Sequence, residues 1–230
     1  MNIIDRRRLL GPPNAVPVKF VAETQEKDQT TQAPKELFME RGLVANSNGS
    51  ACLESRGLVI QAIVYGPRPV QPNFTPSATQ GSELMSRATF NVEFEMSPLV
   101  SGFATLDTQK LAVCVRDVFL ASLLLDSYPK STIDVHVQCL SLPQGVPEDE
   151  VLAMATNCIS VALVDSGLEM RDVPVSVAND GVVLTVLNYQ NDEIVGLVVG
   201  RSVEGLASRL EGLKEESRGV RREIDTFLMK

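Results

Sequence analysis

The chain has 230 residues, of which 44% are apolar and 22% charged, with 29 acidic side chains against 21 basic ones. That length and apolar content are enough to bury a core without help from a disulfide or a metal, and no stretch approaches the roughly 20 uninterrupted apolar residues of a membrane-spanning helix. A net charge of −8 repels phosphate backbones and anionic membrane surfaces, so binding to nucleic acid through the field of the whole chain is disfavoured and only local cation clusters remain.

Residues 1–36 read as an extended N-terminal segment ahead of a single domain over 37–230. They carry Arg6-Arg7-Arg8, then Pro12, Pro13, Pro17 and Pro34 around a polar run from Glu23 to Gln32, a composition that favours extended chain. The first ten residues place their charges after a short apolar run, which is not the order of a secretory signal. From Leu37 to Pro67 the pattern predicts a strand meander, turned at Asn46-Ser47-Asn48-Gly49 and at Arg56-Gly57. Residues 68–83, rich in Pro, Thr, Ser and Gln, read as a loop.

Ala88, Phe90, Val92, Phe94 and Met96 alternate with polar residues and predict a strand with one buried face. A helix follows over about 106–127, with Ala112, Val115, Phe119 and Leu123 on one side and Tyr128-Pro129 as the stop. Ile133, Val135, Val137 and Cys139 form the buried face of the next strand, with Asp134, His136 and Gln138 opposite. A second helix opens on Glu148-Asp149-Glu150, whose charges suit a helix N-terminus. Val151, Met154, Cys158 and Val161 form its stripe, and Gly167 its C-cap. Strands are predicted near 173–179, 182–187 and 193–199, the first two joined by Asn179-Asp180-Gly181. The last helix carries Val203, Leu206, Leu210, Leu213, Val220, Ile224 and Phe227 at three- and four-residue steps, the spacing of a helix packed on a sheet. The class is α+β, with mixed sheets and helices packed on them.

Recognisable chemistry is sparse. Cys52, Cys114, Cys139 and Cys158 have no paired spacing and read as reduced core thiols. One histidine, His136, is too few for a zinc site. No phosphate-binding glycine loop, zinc-protease or nucleophile-elbow motif occurs. His136 as a general base competes with a plain mid-strand residue, and the second is favoured. Glu148-Asp149-Glu150 as metal ligands competes with a solvated first turn, again the favoured reading. Arg6-Arg7-Arg8 has RNA, a partner subunit or solvent as possible neighbours. Arg68, after Gly66-Pro67, is expected to leave the sheet at a loop tip.

Three segments in register resemble the RNase PH family. They are Asn46-Ser-Asn-Gly-Ser-Ala51 with Val64-Tyr-Gly-Pro-Arg68, then Tyr128-Pro-Lys-Ser-Thr-Ile133, then Val161-Ala-Leu-Val-Asp-Ser-Gly-Leu-Glu-Met-Arg-Asp172. Asp5-Arg-Arg-Arg-Leu-Leu-Gly-Pro12 is further similar to the start of the mRNA-transport type of ring subunit in the eukaryotic exosome. The resemblance implies an RNase PH-like fold of two βαβ-type halves, similar to domain 2 of ribosomal protein S5. It implies a six-membered ring of RNase PH-like subunits, an S1/KH-type cap protein, a processive exoribonuclease, and RNA passing through a central channel. It further implies residence in nucleus, nucleolus and cytoplasm, while the residues themselves point to no cofactor, no metal and no membrane.

Departures from the family pattern imply a subunit without catalysis. Active relatives hold phosphate and reacting groups with an Arg-containing turn before the central helix, an Asp-Gly turn after the strand matching Ile133–Cys139, and a Leu-Asp-Leu strand. Here those places read Ser101-Gly-Phe-Ala-Thr-Leu-Asp107, Leu140-Ser-Leu-Pro-Gln-Gly-Val-Pro147 and Thr185-Val186-Leu187. The expected role is a ring scaffold, with Arg68 and, with less weight, Arg87 as RNA contacts. The alternatives are phosphorolysis through a site shared with a neighbouring subunit, and an adaptor unrelated to RNA.

Overall fold

The computed structural model describes residues 37–69, 86–98, 100, 106–143, 145–179, 181–188, 191, 193–200 and 206–230, all within the unit Lys35–Lys230. The segment 1–36 with Arg6-Arg7-Arg8, most of the loop at 68–83, the turn residues 101–105, Gln144, Asp180 and Val203 lie outside the described residues.

A five-stranded sheet comes first, in the order β1-β2-β3-β5-β4. Its strands are β1 (Phe38–Arg41), β2 (Gly49–Ser55), β3 (Leu58–Pro69), β4 (Thr89–Met96) and β5 (Ser131–Ser141). β2 and β3 form a hairpin closed by Arg56 and Gly57, both at positive φ (52° and 80°), the turn type that matches strand twist. β4 runs parallel to β5, and a parallel pair needs a crossover. Here α1 (Thr108–Ser122) supplies it, and this β4–α1–β5 unit is the parallel crossover among the described residues. The alternation read from the sequence holds on β5, where Ile133, Val135, Val137 and Cys139 are all buried.

The first helix stops earlier than its apolar pattern predicts. Leu123 is already extended, at φ −77° and ψ 139°, and bridges Met170. Leu124 N–H donates to Glu169 O at 3.1 Å, so Leu123 and Leu124 belong to a cross-link between segments. At the other end, Asp107 caps α1 by accepting from Lys110 N–H at 3.2 Å.

The second helix, α2 (Glu148–Ser166), is buried at every residue from Val151 to Leu163. The stripe expected from the sequence is therefore too narrow: α2 packs on β2 and β3 and also on β6. Its polar residues survive burial because each is satisfied. Asn157 Nδ2 donates to Ser176 O at 2.9 Å and its Oδ1 accepts from Ser176 N–H at 2.8 Å, so one side-chain amide pairs with β6 as a neighbouring strand would. Ser160 Oγ donates to Pro174 O at 2.6 Å. Gly167 closes the helix at φ 72°, as expected.

A three-stranded antiparallel meander follows, β6 (Val175–Asn179), β7 (Val182–Asn188) and β8 (Glu193–Val199). α3 (Leu206–Leu228) packs on β6 and β7. Leu213 and Ile224 are buried as the pattern predicts, and so is Ser217, which the apolar pattern skips. Arg221 ties α3 to the loop before β6. It meets Asp172 at 2.8 Å and Asp225 at 2.8 Å and donates to Val173 O. Burial lowers its pKa, but the hydrogen bonds and charges of Asp172 and Asp225 outweigh that and raise it.

Close approach of α2 to the sheet rests on Gly49. A Cβ there would lie 2.4 Å from Ala162 O, 2.5 Å from Ser166 N and 2.7 Å from Ser166 Cβ. Beside it, Ser50 N–H donates to Asp165 Oδ2 at 3.1 Å. Gly49→Ala should therefore cost about 2 kcal/mol or more by overpacking, seen as a lower denaturant midpoint. Gly212→Ala, in an open position of α3 where nothing lies within 4 Å, should instead stabilise the chain by roughly 0.5–1 kcal/mol.

Candidate nucleic-acid interface at a sheet end

The candidate contact residues gather where β3 ends and β4 and β5 begin. Arg68 on β3 pairs with Thr132 of β5, and Thr89 of β4 pairs with the same Thr132 from the other side. Arg87, two residues before Thr89, is exposed and lies at the same end of the sheet. Lys130, one residue before β5 and also exposed, is a third cation there. The sequence gives no sign of this grouping, because residues 68, 87 and 130 become neighbours only through the order β3-β5-β4.

Two glycine-centred features shape the end. Gly66 sits at φ 131°, and a Cβ on it would lie 2.6 Å from Thr132 O and 3.0 Å from Ile133 Cα, so both backbone angle and space require glycine. Its N–H donates to Asn48 Oδ1 at 3.0 Å, and Asn48 N–H donates to Val64 O at 2.9 Å. The Gly66-Pro67 bond is cis, and the register with β5 shifts between Tyr65 and Arg68.

Past that bulge, β3 continues to Pro69, paired with Ser131. Arg68 therefore does not leave at a loop tip, contrary to the expectation from Gly66-Pro67. Its Cζ lies 4.6 Å from the centroid of the Tyr65 ring, where the ring quadrupole attracts a guanidinium. Tyr65 in turn meets His136 edge-on, at 5.5 Å between centroids and 71° between planes. His136 Nδ1 lies 3.1 Å from Glu93 Oε2. The neighbouring pair is Asn91 Nδ2 donating to Asp134 Oδ1 at 2.9 Å. His136 is thus a half-exposed member of a cross-strand array, in keeping with the structural reading of it.

The other sequence candidates are dispersed. Glu148 pairs with Lys110 at 3.4 Å and Glu150 with Arg56 at 3.7 Å. No group of three or more metal-ligating side chains occurs among the described residues, and no described helix is long and apolar enough to cross a membrane. The four cysteines are unpaired. Cys139 and Cys158 are buried, but Cys52 and Cys114 are half-buried, because Cys52 falls on the sheet face away from α2. Burial raises the Cys158 thiol far above its usual range. It also raises Cys52, with Glu40 and Glu54 adding to the effect.

The segments that carry the family resemblance touch one another. Besides Asn48–Gly66, Gly49–Ser166 and Ser50–Asp165, Tyr128 Oη accepts from Glu169 N–H at 3.2 Å. Their shared work in this chain is to hold α2, β2, β3 and β5 together.

Comparison with known proteins agrees with this. The model of the 3′ exoribonuclease family, domain 1 (RNase PH), matches residues 33–169. The exosome complex component mtr3 of Schizosaccharomyces pombe is 27% identical over 177 residues, covering 74% of this chain and 64% of that protein. The exosome complex component Rrp41 of Pyrobaculum arsenaticum is 29% identical over 171 residues, covering 69% and 63%. The chain thus spans a little under two thirds of these relatives. Rice Rrp46 superposes with a TM-score of 0.67 at 19% identity, over 85% of this chain and 95% of that one. The Archaeoglobus fulgidus exosome, with RNA bound to its active site, gives 0.63 at 15% identity, over 82% and 88%. At those identities the superpositions speak for the fold.

Asn48→Ala removes the acceptor for a glycine N–H at this sheet end. It should cost about 1–2 kcal/mol, and in amide exchange the residues from Val64 to Arg68 should lose protection before the rest of β3.

Proposed function

The chain belongs to the RNase PH family, and from that premise we propose that it is a non-catalytic ring subunit of an exosome that scaffolds 3′–5′ RNA processing and degradation. The observation that carries the reading is the first turn of α2. Phosphorolysis requires phosphate to be held by fixed positive charge, and a helix N-terminus is a ready anion site. Here Pro147 occupies the N-cap and Glu148, Asp149 and Glu150 fill the first turn. The nearby cations Lys110 and Arg56 are already paired with Glu148 and Glu150. Three carboxylates at the electropositive end repel a phosphate.

A second position supports the same reading. Val186, where the resemblance implies an acid, is buried with Val177, Val182, Leu184 and Leu213. A carboxylate there would be desolvated without a partner. The Ser101–Asp107 turn carries no arginine in its sequence.

Assembly with other RNase PH-like subunits in a six-membered ring fits the surface of the meander. β8 is an edge strand, and Ile194, Leu197 and Val199 on it are exposed. An apolar strand edge is a liability in an isolated chain and an asset in an assembly. The S1/KH-type cap protein, the processive exoribonuclease and the nuclear, nucleolar and cytoplasmic locations come with the resemblance. Arg68, Arg87 and Lys130 are proposed to touch RNA passing the sheet end, through phosphates and without reading sequence.

The second reading is a phosphorolytic 3′–5′ exoribonuclease using a composite site with a neighbouring subunit. It is favoured by the description of the matched family as 3′ exoribonucleases. An assay of RNA shortening separates the two. The purified chain, alone and with the RNase PH-like subunits that co-purify with it, should release no nucleoside diphosphate from RNA in phosphate buffer because of this chain. If activity of the assembly disappears on replacing a residue of the α2 first turn, the composite-site reading replaces the scaffold. If no RNase PH-like subunit co-purifies at all, the ring assignment fails.

A further inference from the structure

We infer that Tyr65 is a positioning residue that holds the Arg68 guanidinium ready for single-stranded RNA, with its ring fixed in turn by His136 and Glu93. The inference rests on the proposed RNA contact at Arg68 and goes beyond it by saying how that contact is prepared.

Three strands contribute. Tyr65 pairs with Asp134 and Ile63 with His136 across β3 and β5, so Tyr65 and His136 are diagonal neighbours, within reach for aromatic side chains. Glu93 pairs directly with His136 across β5 and β4. The contacts then run in one line: Glu93 Oε2 to His136 Nδ1 at 3.1 Å, the His136 ring to the Tyr65 ring at 5.5 Å and near-perpendicular, and the Tyr65 ring to Arg68 Cζ at 4.6 Å. Each link is one that fixes a ring or a planar group in orientation as well as in place.

The form of the last link matters. A carboxylate partner would hold a guanidinium by its N–H groups and use up the donors that a phosphate needs. A ring holds it by its flat face. Contact with the Tyr65 ring therefore restricts the many rotamers of a long side chain without a carboxylate occupying its donors, on a residue that is itself exposed. Preparing a flexible side chain in its bound form removes an ordering cost from binding. Lys130 and Arg87 at the same sheet end add positive charge, and Arg68 is held against a ring.

The test is a double-mutant cycle on the full chain, read as affinity for a fluorescein-labelled oligouridylate at low salt, with thermal unfolding followed for every variant. Arg68→Ala should weaken binding several-fold and lower the salt slope by about one. Tyr65→Leu should weaken it by about 3-fold in the wild-type background and have no further effect beside Arg68→Ala, the non-additivity expected of residues that act as a unit. Tyr65→Phe, which keeps the ring, should restore what Tyr65→Leu loses. If Tyr65→Leu unfolds the chain, His136→Leu on the solvent side of the sheet takes its place in the same cycle. No RNA binding by the wild-type chain, or an Arg68→Ala variant that binds as well, overturns the RNA contact itself. An effect of Arg68→Ala with no effect of Tyr65→Leu, or with additive effects, overturns the positioning role alone.

Discussion

The structure depends on how closely α2 can approach the five-stranded sheet. At Gly49 the helix backbone lies where any side chain would stand, within 2.5 Å of a built Cβ at Ala162 O and at Ser166 N. That contact lets α2 bury residues on all sides from Val151 to Leu163, with Cys158 under β2 and β3 and Asn157 against β6. Both sheets take their place from this one helix. Had α2 stood a side chain further out, Ser50 and Asp165 could not meet, and the amide of Asn157 would lose its two partners on Ser176.

The same constraint accounts for where the family resemblance lies in this chain. The segments that resemble the family are the ones in mutual contact: Asn48-Gly49-Ser50, Tyr65-Gly66, Tyr128 to Ser131, and Asp165 to Asp172. They close the fold. The positions where the family resemblance implies phosphate-holding and acidic groups lie outside these segments. There the chain has placed Glu148, Asp149 and Glu150 and a buried Val186. The proposed ring scaffold would require the first set and not the second, since fold and site are separable.

Much of the fold is legible in the sequence. The alternation on β4 and β5 is explicit because one face meets the helices and the other does not. The Gly167 cap follows from backbone preferences alone. What the sequence hides has identifiable causes. Leu123 and Leu124 prolong the apolar pattern of α1, although they serve a bridge to Met170 and Glu169. Thr156, Asn157 and Ser160 lie outside the stripe expected for α2, yet each is buried and hydrogen-bonded. Ser217 breaks the stripe of α3 yet is buried. At the sheet end, Gly66-Pro67 reads as a turn, whereas it is a bulge within β3 that keeps Arg68 in the strand. The stacking of Arg68 on Tyr65 and its grouping with Arg87 and Lys130 depend on strand order, which no local pattern encodes.

Orthophosphate titration tests the central claim most directly, because a phosphorolytic subunit must bind the co-substrate that a scaffold need not. In amide spectra of the full chain, the account predicts no saturable shift for the residues from Gly145 to Glu150 as orthophosphate is added. It predicts only the weak, unsaturating changes that accompany ionic strength. Saturable shifts confined to that turn, reversed on replacing phosphate with chloride at equal ionic strength, would contradict it and place a working phosphate site at the head of α2.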